Sequence, residues 1–370
     1  MKDPILLNKL WKEVEAGRVA ASQFGDLTIF KYTQDTHIKD LWNETNRLAR
    51  GIIFRVDSTI IARPFEKFFN LNERPSTNIK NLPWDESVEI YEKVDGSCGI
   101  GYFVNGLWKL ATPGSMESEQ AVEGTKILYQ GHDIPGYIRD PSCSYDLSRL
   151  PIDCTPVFEI IYPENRIVVD YGNKRELVLL AIFEHNGVEW HPRRVDQIAG
   201  LCGFRRPQRY NIDLQSEIPF DDNTEGYVAR FESGLRVKIK SPTYLRIHRL
   251  LNYLSPKGVI ELIRGKEYGS VLSQLPKEIA KDFDDVRAYV QGIHDRILTS
   301  AHNNLNRLIE ALGQGVARKE QALWIQKHVA NAEIGFVFAL LDGKDIEDKI
   351  WRLVCDEVRE QQGPRIVVEV

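Results

Sequence analysis

The chain has 370 residues, of which 42% are hydrophobic and 27% are charged, and its 48 basic and 53 acidic residues leave a formal net charge of −5. This length and apolar content predict two folded domains, while the slight acidity excludes a protein that coats nucleic acid over its whole surface, so any such contact must be a local basic cleft. Five scattered cysteines show neither metal-ligand spacing nor a disulfide framework, and the sequence carries no signal-peptide core and no membrane-spanning run, so we expect a reducing, cytoplasmic protein without membrane contact.

The apolar periodicity predicts an α+β protein in which strands precede helices. Apolar residues at helical spacing predict an N-terminal helix over 5–22. Strand-like runs then dominate to about residue 240, and turn residues separate them, as at Asn105-Gly106, a typical hairpin turn. The predicted strands, expected to form antiparallel sheets, are 27–32, 51–56, 88–94, 100–104, 157–162, 166–171, 177–183, 226–231 and 237–240. Helices are predicted over 118–129 and 194–202.

Beyond residue 255 the pattern becomes helical. Apolar side chains recur every three to four residues over 283–312, glycines end that helix, and helical patterns return over 320–332 and 345–360. We therefore predict a mixed domain over 1–250 and an all-helical domain over 251–370.

Lys93, in Glu92-Lys93-Val94-Asp95-Gly96-Ser97, is the candidate nucleophile. A lysine attacks only as the free amine, so its pKa must fall below its reference value of about 10.4, which burial or a nearby cation would achieve. Asp95 would orient the amine, and Gly96 would let the backbone approach a ligand. From these residues alone, a surface strand and turn is the alternative interpretation.

Five further segments accompany this lysine in a fixed order. Each places a charged side chain within a β-branched or aromatic run, where a strand would direct it into a cleft. The segments are Arg50-Gly51-Ile52-Ile53-Phe54, Arg63-Pro64-Phe65-Glu66-Lys67-Phe68-Phe69-Asn70, Phe158-Glu159-Ile160-Ile161, Glu225-Gly226-Tyr227-Val228 and Val237-Lys238-Ile239-Lys240. Lys238 and Lys240 project from one face of a strand, which favours an anion between them, although solubilising lysines on an edge strand would show the same pattern.

This ordered set resembles the covalent nucleotidyltransferase superfamily of ligases and mRNA-capping enzymes. The segments that contain Arg50 and Lys67, together with Pro163-Glu164-Asn165-Arg166-Ile167-Val168-Val169 and Tyr171, are similar to its bacteriophage-type ATP-dependent RNA ligase 1 branch. The resemblance covers roughly residues 30–250. It implies that the first domain is an antiparallel-sheet nucleotidyltransferase domain of the ATP-grasp-like ligase type.

The resemblance also implies a role for each motif residue. Lys93 would attack the α-phosphate of ATP, expel pyrophosphate and hold AMP as a phosphoramidate. Glu225 would bind Mg²⁺ or Mn²⁺, and Glu159 would meet a ribose hydroxyl; the respective alternatives are a solvated loop acid and a structural ion pair. The phosphate contacts would be Arg50, Lys67, Lys238 and Lys240, of which the last two are also catalytic candidates. Tyr244 and Phe183 are candidates for stacking on adenine.

Some of these assignments leave alternatives open. Lys67 would also fit as a lysine among core aromatic side chains, and Tyr244 would also fit as a packing residue. Pro113 stands before Gly114-Ser115, where some relatives carry a lysine, so the basic contact of this loop is lost or has moved to another residue, for which Lys109 is the candidate.

Together these roles predict an ATP-dependent RNA ligase that joins RNA 5′-phosphate and 3′-hydroxyl ends through lysyl-AMP and an RNA-adenylate. RNA repair, including tRNA repair, would fit this family, and so would a phage origin and an end-healing kinase or phosphatase partner. A DNA ligase, a GTP-dependent capping-type enzyme and a catalytically silent RNA-binding module remain as alternatives. The intact set of Lys93, Glu225, Lys238 and Lys240 argues against the silent module.

Overall fold

Strands dominate the first part of the chain and helices the last part. The computed structural model describes residues 1–129, 145–251, 253–275, 277–313 and 315–360. Contacts between residues divide the chain into two units, Met1–Leu245 and Arg246–Val370. This division falls a few residues before the boundary predicted near residue 250.

Thirteen strands lie among the described residues of the first unit. They are β1 Val19–Phe24, β2 Leu27–Tyr32, β3 Arg50–Arg55, β4 Ile60–Ala62, β5 Phe69–Asn70, β6 Val88–Glu92, β7 Ser97–Val104, β8 Leu107–Ala111, β9 Cys154–Ile161, β10 Glu176–Glu184, β11 Arg209–Tyr210, β12 Gly226–Phe231 and β13 Arg236–Lys240. They form a first sheet in the order β1-β2-β3-β4, a second in the order β10-β9-β7-β8 and a third in the order β11-β6-β12-β13-β5. All the pairings are antiparallel except that of β13 with β5.

Twelve helices lie among the described residues. They are α1 Pro4–Glu15, α2 Gln34–Ile38, α3 Glu44–Leu48, α4 Glu119–Leu128, α5 Pro192–Cys202, α6 Pro242–Leu251, α7 Pro256–Arg264, α8 Tyr268–Leu272, α9 Lys277–Leu312, α10 Arg318–His328, α11 Ile334–Leu341 and α12 Glu347–Glu360. No strand is found in the described part of the chain after residue 245. The predicted fold class, antiparallel sheets followed by a helical region, is confirmed.

Two buried clusters cover the two faces of the second sheet. Ile100 and Tyr102 of β7 share one cluster with Ile29 and Ile53 of the first sheet. On the other face, Phe158 and Ile160 of β9 pack with side chains of α4 and α5. Because side chains alternate along a strand, Glu159 of β9 is directed away from these helices.

Most predicted elements are confirmed within a few residues, and two are wrong. The helix predicted over 5–22 ends at Glu15, since Gly17 has a φ of +70° and Val19–Phe24 forms β1 of a hairpin. The strand predicted over 166–171 is not a strand, because the backbone N–H groups of Val168 and Val169 donate to the carboxylate of Asp95 rather than to a neighbouring strand.

The predicted hairpin turn at Asn105-Gly106 joins β7 to β8, with φ values of +51° and +79° that match a primed turn. In the second unit, α9 ends at Leu312, just before Gly313 with its φ of +78°. A search of the described residues found no helix with the length and apolar character that crossing a membrane requires.

Candidate active site

Lys93 lies in the turn between β6 and β7, where strand pairing fixes the turn from two sides. Its backbone N–H donates to the carbonyl of Gly226 at 2.9 Å, and Glu92 pairs with Tyr227 of β12. Its ammonium Nζ lies 2.5 Å from Oε2 of Glu225, and 19% of the lysine side chain is exposed. The predicted nucleophile and the predicted metal-binding carboxylate therefore form a direct ion pair.

Glu225 is the centre of this ion-pair network. Its side chain is only 3% exposed, and its second oxygen, Oε1, lies 3.1 Å from Nζ of Lys240. The pairing of Gly226 with Lys240 across the β12–β13 hairpin places these two residues side by side. The two lysines lower the pKa of Glu225 although its burial acts in the opposite direction, so the carboxylate is ionised.

The pKa of Lys93 is raised, not lowered as the sequence analysis required for a nucleophile. Burial acts to lower this pKa, but Glu225 and Glu159 stabilise the ammonium and outweigh it. The sequence could not show this, because both acids come from segments that are distant along the chain. These two acids therefore hold the amine as a cation.

Glu159 faces the turn that carries Lys93. Its Oε1 accepts a hydrogen bond from the N–H of Gly96 at 3.2 Å. Gly96 permits this approach, since a Cβ there would lie 2.6 Å from the carbonyl oxygen of Ile160. Burial and the nearby Glu225 raise the pKa of Glu159 to about 7, despite the opposing charge of Lys93.

Asp95 fixes the turn instead of orienting the amine, because its two oxygens have other partners. Oδ2 accepts the N–H groups of Val168 and Val169, each at 2.9 Å, and Oδ1 accepts the hydroxyl of Tyr244 at 2.8 Å. The ring centroid of Tyr244, which is 3% exposed, lies 5.0 Å from Nζ of Lys240. The interpretation that Asp95 contacts the amine is therefore replaced by a structural role.

Three further predicted residues, Arg50, Lys67 and Lys238, add positive charge close to this network. Phe68 lies between Arg50 and Lys238, with its ring centroid 5.8 Å from the guanidinium carbon and 4.7 Å from the ammonium. Burial, together with the charges of Arg50 and Lys93, holds the pKa of Lys238 well below its ordinary value. Nη1 of Arg50 is buried without a hydrogen-bond partner among the described residues.

Lys67 is enclosed by aromatic rings rather than by acids. Its ammonium lies 5.5 Å from the ring centroid of Tyr32, 5.4 Å from that of Trp42 and 5.6 Å from that of Phe69. Burial lowers its pKa, and within the described residues no carboxylate lies within 4.0 Å of it. Aromatic faces stabilise an ammonium without neutralising it, so its charge stays available to an anion.

An apolar pocket that is lined in part by Glu92, the residue before Lys93, is a feature that the sequence analysis missed. It encloses about 530 Å³ of empty space, including its mouth, and its lining includes Phe68, Leu180, Val228 and Glu92. Val228 faces it because the neighbouring residues of β12, Tyr227 and Ala229, point into the core of the third sheet. That alternation was visible in the sequence and is the signal that could have identified Val228.

Phe183 does not line this pocket. Its ring packs edge-to-face against Phe65, with centroids 5.0 Å apart, and it is 7% exposed within a buried cluster. This contact supports a packing role for Phe183 rather than the predicted stacking on adenine.

Replacing Gly226 with alanine should destabilise the hairpin that holds Glu225. Gly226 has a φ of +132°, and a Cβ there would lie 2.0 Å from the carbonyl oxygen of Ile239. We expect the substitution to lower the free energy of unfolding by about 2–4 kcal/mol, measured by urea unfolding. Gly234→Ala is the matched control, because Gly234 also has a positive φ (+89°) but no atom within 4 Å of a Cβ. If both variants lost the same free energy of unfolding, the close approach of Gly226 to the carbonyl of Ile239 would not be the cause of the destabilisation.

Comparison with known proteins identifies the family of this chain. The family model described as RNA ligase matches residues 48–244, more than half of the chain. A protein of Thermovibrio ammonificans named as a candidate RNA ligase is 30% identical over 266 residues, which cover 68% of this chain and 66% of that protein. An RNA ligase of Rhodothermus phage RM378 is 24% identical over 389 aligned positions, covering 87% of this chain and 86% of the phage protein.

Among solved structures, an archaeal ATP-dependent RNA ligase has a TM-score of 0.44 and 13% identity, covering 80% of this chain and 79% of that chain. The chain therefore belongs to the RNA ligase family, a family of ligase enzymes, as its ordered motifs predicted.

Proposed function

We propose that this protein is an ATP-dependent RNA ligase that works through a lysyl-AMP intermediate. The observation that carries the proposal is a half-buried lysine, Lys93, that is close to further cations which lack acidic partners among the described residues. Lys67 and Lys238 have no carboxylate within 4.0 Å among the described residues, and Arg50 has an unpaired buried nitrogen. Unpaired buried charge is costly, so such a cluster is best explained by an anionic ligand that completes it.

In the first step, the Lys93 ammonium loses a proton to solvent, and the free amine attacks the α-phosphorus of ATP. The new bond joins nitrogen to phosphorus, the bond from the α-phosphorus to the bridging oxygen breaks, pyrophosphate leaves, and the nitrogen releases a second proton to solvent. Arg50, Lys67 and Lys238 would neutralise the departing phosphates, as phosphoryl transfer requires. The adenine would enter the apolar pocket between Phe68 and Val228. Tyr244 would affect nucleotide binding indirectly, because the ammonium of Lys240 lies over the ring of Tyr244 and is positioned by it.

A divalent cation fits beside Glu225. The described residues hold no group of three or more acidic, histidine or cysteine side chains arranged for a metal. Magnesium, however, is commonly bound by one or two carboxylates together with substrate phosphates. Glu225 would supply such a carboxylate, because it is ionised and lies next to the amine of Lys93. Bound there, Mg²⁺ or Mn²⁺ would neutralise phosphate charge and compete with the Lys93 ammonium for Glu225, which favours the free amine.

Two transfers to RNA complete the proposed reaction. An RNA 5′-phosphate oxygen attacks the phosphorus of lysyl-AMP, which breaks the nitrogen–phosphorus bond and regenerates Lys93. An RNA 3′-hydroxyl then attacks the activated end and releases AMP. Glu159 would bind a ribose hydroxyl during these steps. A role in RNA or tRNA repair, with an end-healing partner, remains part of the proposal and is supported by the family alone.

Intact-mass measurement after incubation with ATP and Mg²⁺ tests the proposal. We expect an adduct with the mass of AMP, located on Lys93 by peptide mapping, that is lost when RNA with a 5′-phosphate is added. GTP in place of ATP, and DNA in place of RNA, serve as matched controls. A GMP adduct would favour a capping-type enzyme, equal transfer to DNA would favour a DNA ligase, and no adduct with either nucleotide would favour a silent RNA-binding module.

A further inference from the structure

A second cleft lies on the other side of the nucleophile's turn, formed by the long connection between β9 and β10. This connection, residues 162–175, joins adjacent antiparallel strands that two to five residues would suffice to link. The cleft holds about 710 Å³ of empty space including its mouth, and Asp95 of the nucleophile's turn contributes to its lining. Without the open mouth, the cavity volume is about 300 Å³, at the lower end of the range of about 300–1,000 Å³ that is usual for small-molecule sites.

The connection has no regular secondary structure over most of its length, but hydrogen bonds attach it both to the turn that carries Lys93 and to the segment just before Glu225. It donates two backbone hydrogen bonds to Asp95, and the hydroxyl of Tyr171 accepts the N–H of Asp95 at 2.9 Å. The amide of Asn165 donates to Oγ of Ser97 at 2.9 Å. On the other side, the backbone of Asp170 exchanges two hydrogen bonds of 2.9 Å with the amide of Asn223, two residues before Glu225. A ligand in the cleft would therefore be held in a fixed position relative to Lys93.

Two cations of this cleft are poorly engaged by the protein. Arg166 makes only long contacts, with its guanidinium 3.4 Å from Asp170 and 3.4–3.5 Å from the carbonyl of Val168. Lys174 is exposed and has no ion-pair partner in the described part of the chain. The adjacent Arg175, by contrast, makes ion pairs of 3.1 Å with Glu123 and with Glu164.

We propose that this cleft, through Arg166 and Lys174, binds the 5′-phosphorylated end of the RNA that receives AMP from Lys93. The inference rests on the proposed ligase function and adds the subsite for its second substrate. The terminal phosphate is dianionic, which suits one exposed cation, Lys174, and one with only long contacts, Arg166, whereas a 3′-hydroxyl end presents a neutral group.

Fluorescence anisotropy tests this inference without depending on ligation. A short labelled RNA with a 5′-phosphate is compared with the same RNA carrying a 5′-hydroxyl, using the full chain without ATP. We expect the wild-type protein to prefer the phosphorylated RNA by about tenfold, as charge-assisted hydrogen bonds allow. Arg166→Ala and Lys174→Ala should each reduce this preference, and the double variant should abolish it. Arg175→Ala, which removes a neighbouring but already paired cation, should retain it.

Lysyl-AMP formation, followed by intact mass, separates this inference from the proposed function. The double variant should form the adduct within about twofold of the wild-type rate, because its cations act only on RNA. Lys174→Glu provides a second variant whose exposed side chain cannot disturb folding, and it should also lose the 5′-phosphate preference. The inference is overturned if the double variant keeps that preference, or if adduct formation falls as much as RNA binding. Absence of the adduct in the wild-type protein would count against the ligase proposal alone, since anisotropy would still report on the cleft.

Discussion

Replacing Lys93 with alanine should abolish formation of the AMP adduct, while the variant still seals RNA that is supplied already adenylylated. In the proposed first step this amine is the nucleophile, and among the described residues it forms the shortest ion pair with Glu225, at 2.5 Å against 3.1 Å for Lys240. We expect the adduct to fall by at least about a thousandfold, as for the loss of a covalent nucleophile. The final step involves only the activated RNA end and a 3′-hydroxyl, so its rate should change far less.

Lys93→Arg is the matched control for the charge beside Glu225. Arginine keeps a cation next to this buried carboxylate, but its guanidinium stays protonated and cannot attack phosphorus. We therefore expect no adduct from either variant. Sealing of adenylylated RNA should be better preserved in Lys93→Arg, because Glu225 keeps both of its cationic neighbours. Adduct formation by Lys93→Ala at the wild-type level would show that Lys93 is not the nucleophile.

The sequence predicted that Lys93, Glu225 and Lys240 would lie together, but it did not reveal the pocket beside Phe68 and Val228. Strand alternation placed Lys238 and Lys240 on one face, and the β12–β13 pairing does bring Lys240 to Glu225. The contacts of Lys93 with Glu225 and Glu159 join segments that are distant along the chain, so the direction of the pKa shift of Lys93 could not be predicted from the sequence. The hydrogen bonds of Asp95 were missed for the same reason, since the residues that donate them lie more than 70 positions away.

The error over residues 166–171 has a related physical cause. Val168 and Val169 are β-branched and buried, which is typical of a strand. Their backbone N–H groups are nevertheless used by Asp95, a partner that local periodicity cannot reveal. Residues 166–171, whose sequence is typical of a strand, therefore form part of the lining of the cleft that contains Asp95.

Replacing Lys67 with alanine should impair the first step selectively. Lys67 is 9% exposed and surrounded by Tyr32, Trp42 and Phe69, so its ammonium is fixed in place but not neutralised. If it binds the departing phosphates, adduct formation from ATP should fall by about a hundredfold. Sealing of adenylylated RNA should stay within about twofold of the wild-type rate, because pyrophosphate is absent from that reaction. Rapid-quench measurement of the two reactions provides the comparison.

The aromatic rings around Lys67 give this prediction its internal controls. Trp42→Ala removes one face and should slow adduct formation by roughly tenfold, whereas Trp42→Phe keeps a face and should retain most of the rate. Trp84→Phe controls for the loss of an indole elsewhere in the same unit, since Trp84 packs on Phe231 and its N–H donates to the carbonyl of Ile79. An equal loss in both reactions for Lys67→Ala would mean that this lysine only supports the fold. Unchanged adduct formation would remove it from the phosphate site, and the aromatic cage would then have to be explained as core packing around a buried lysine.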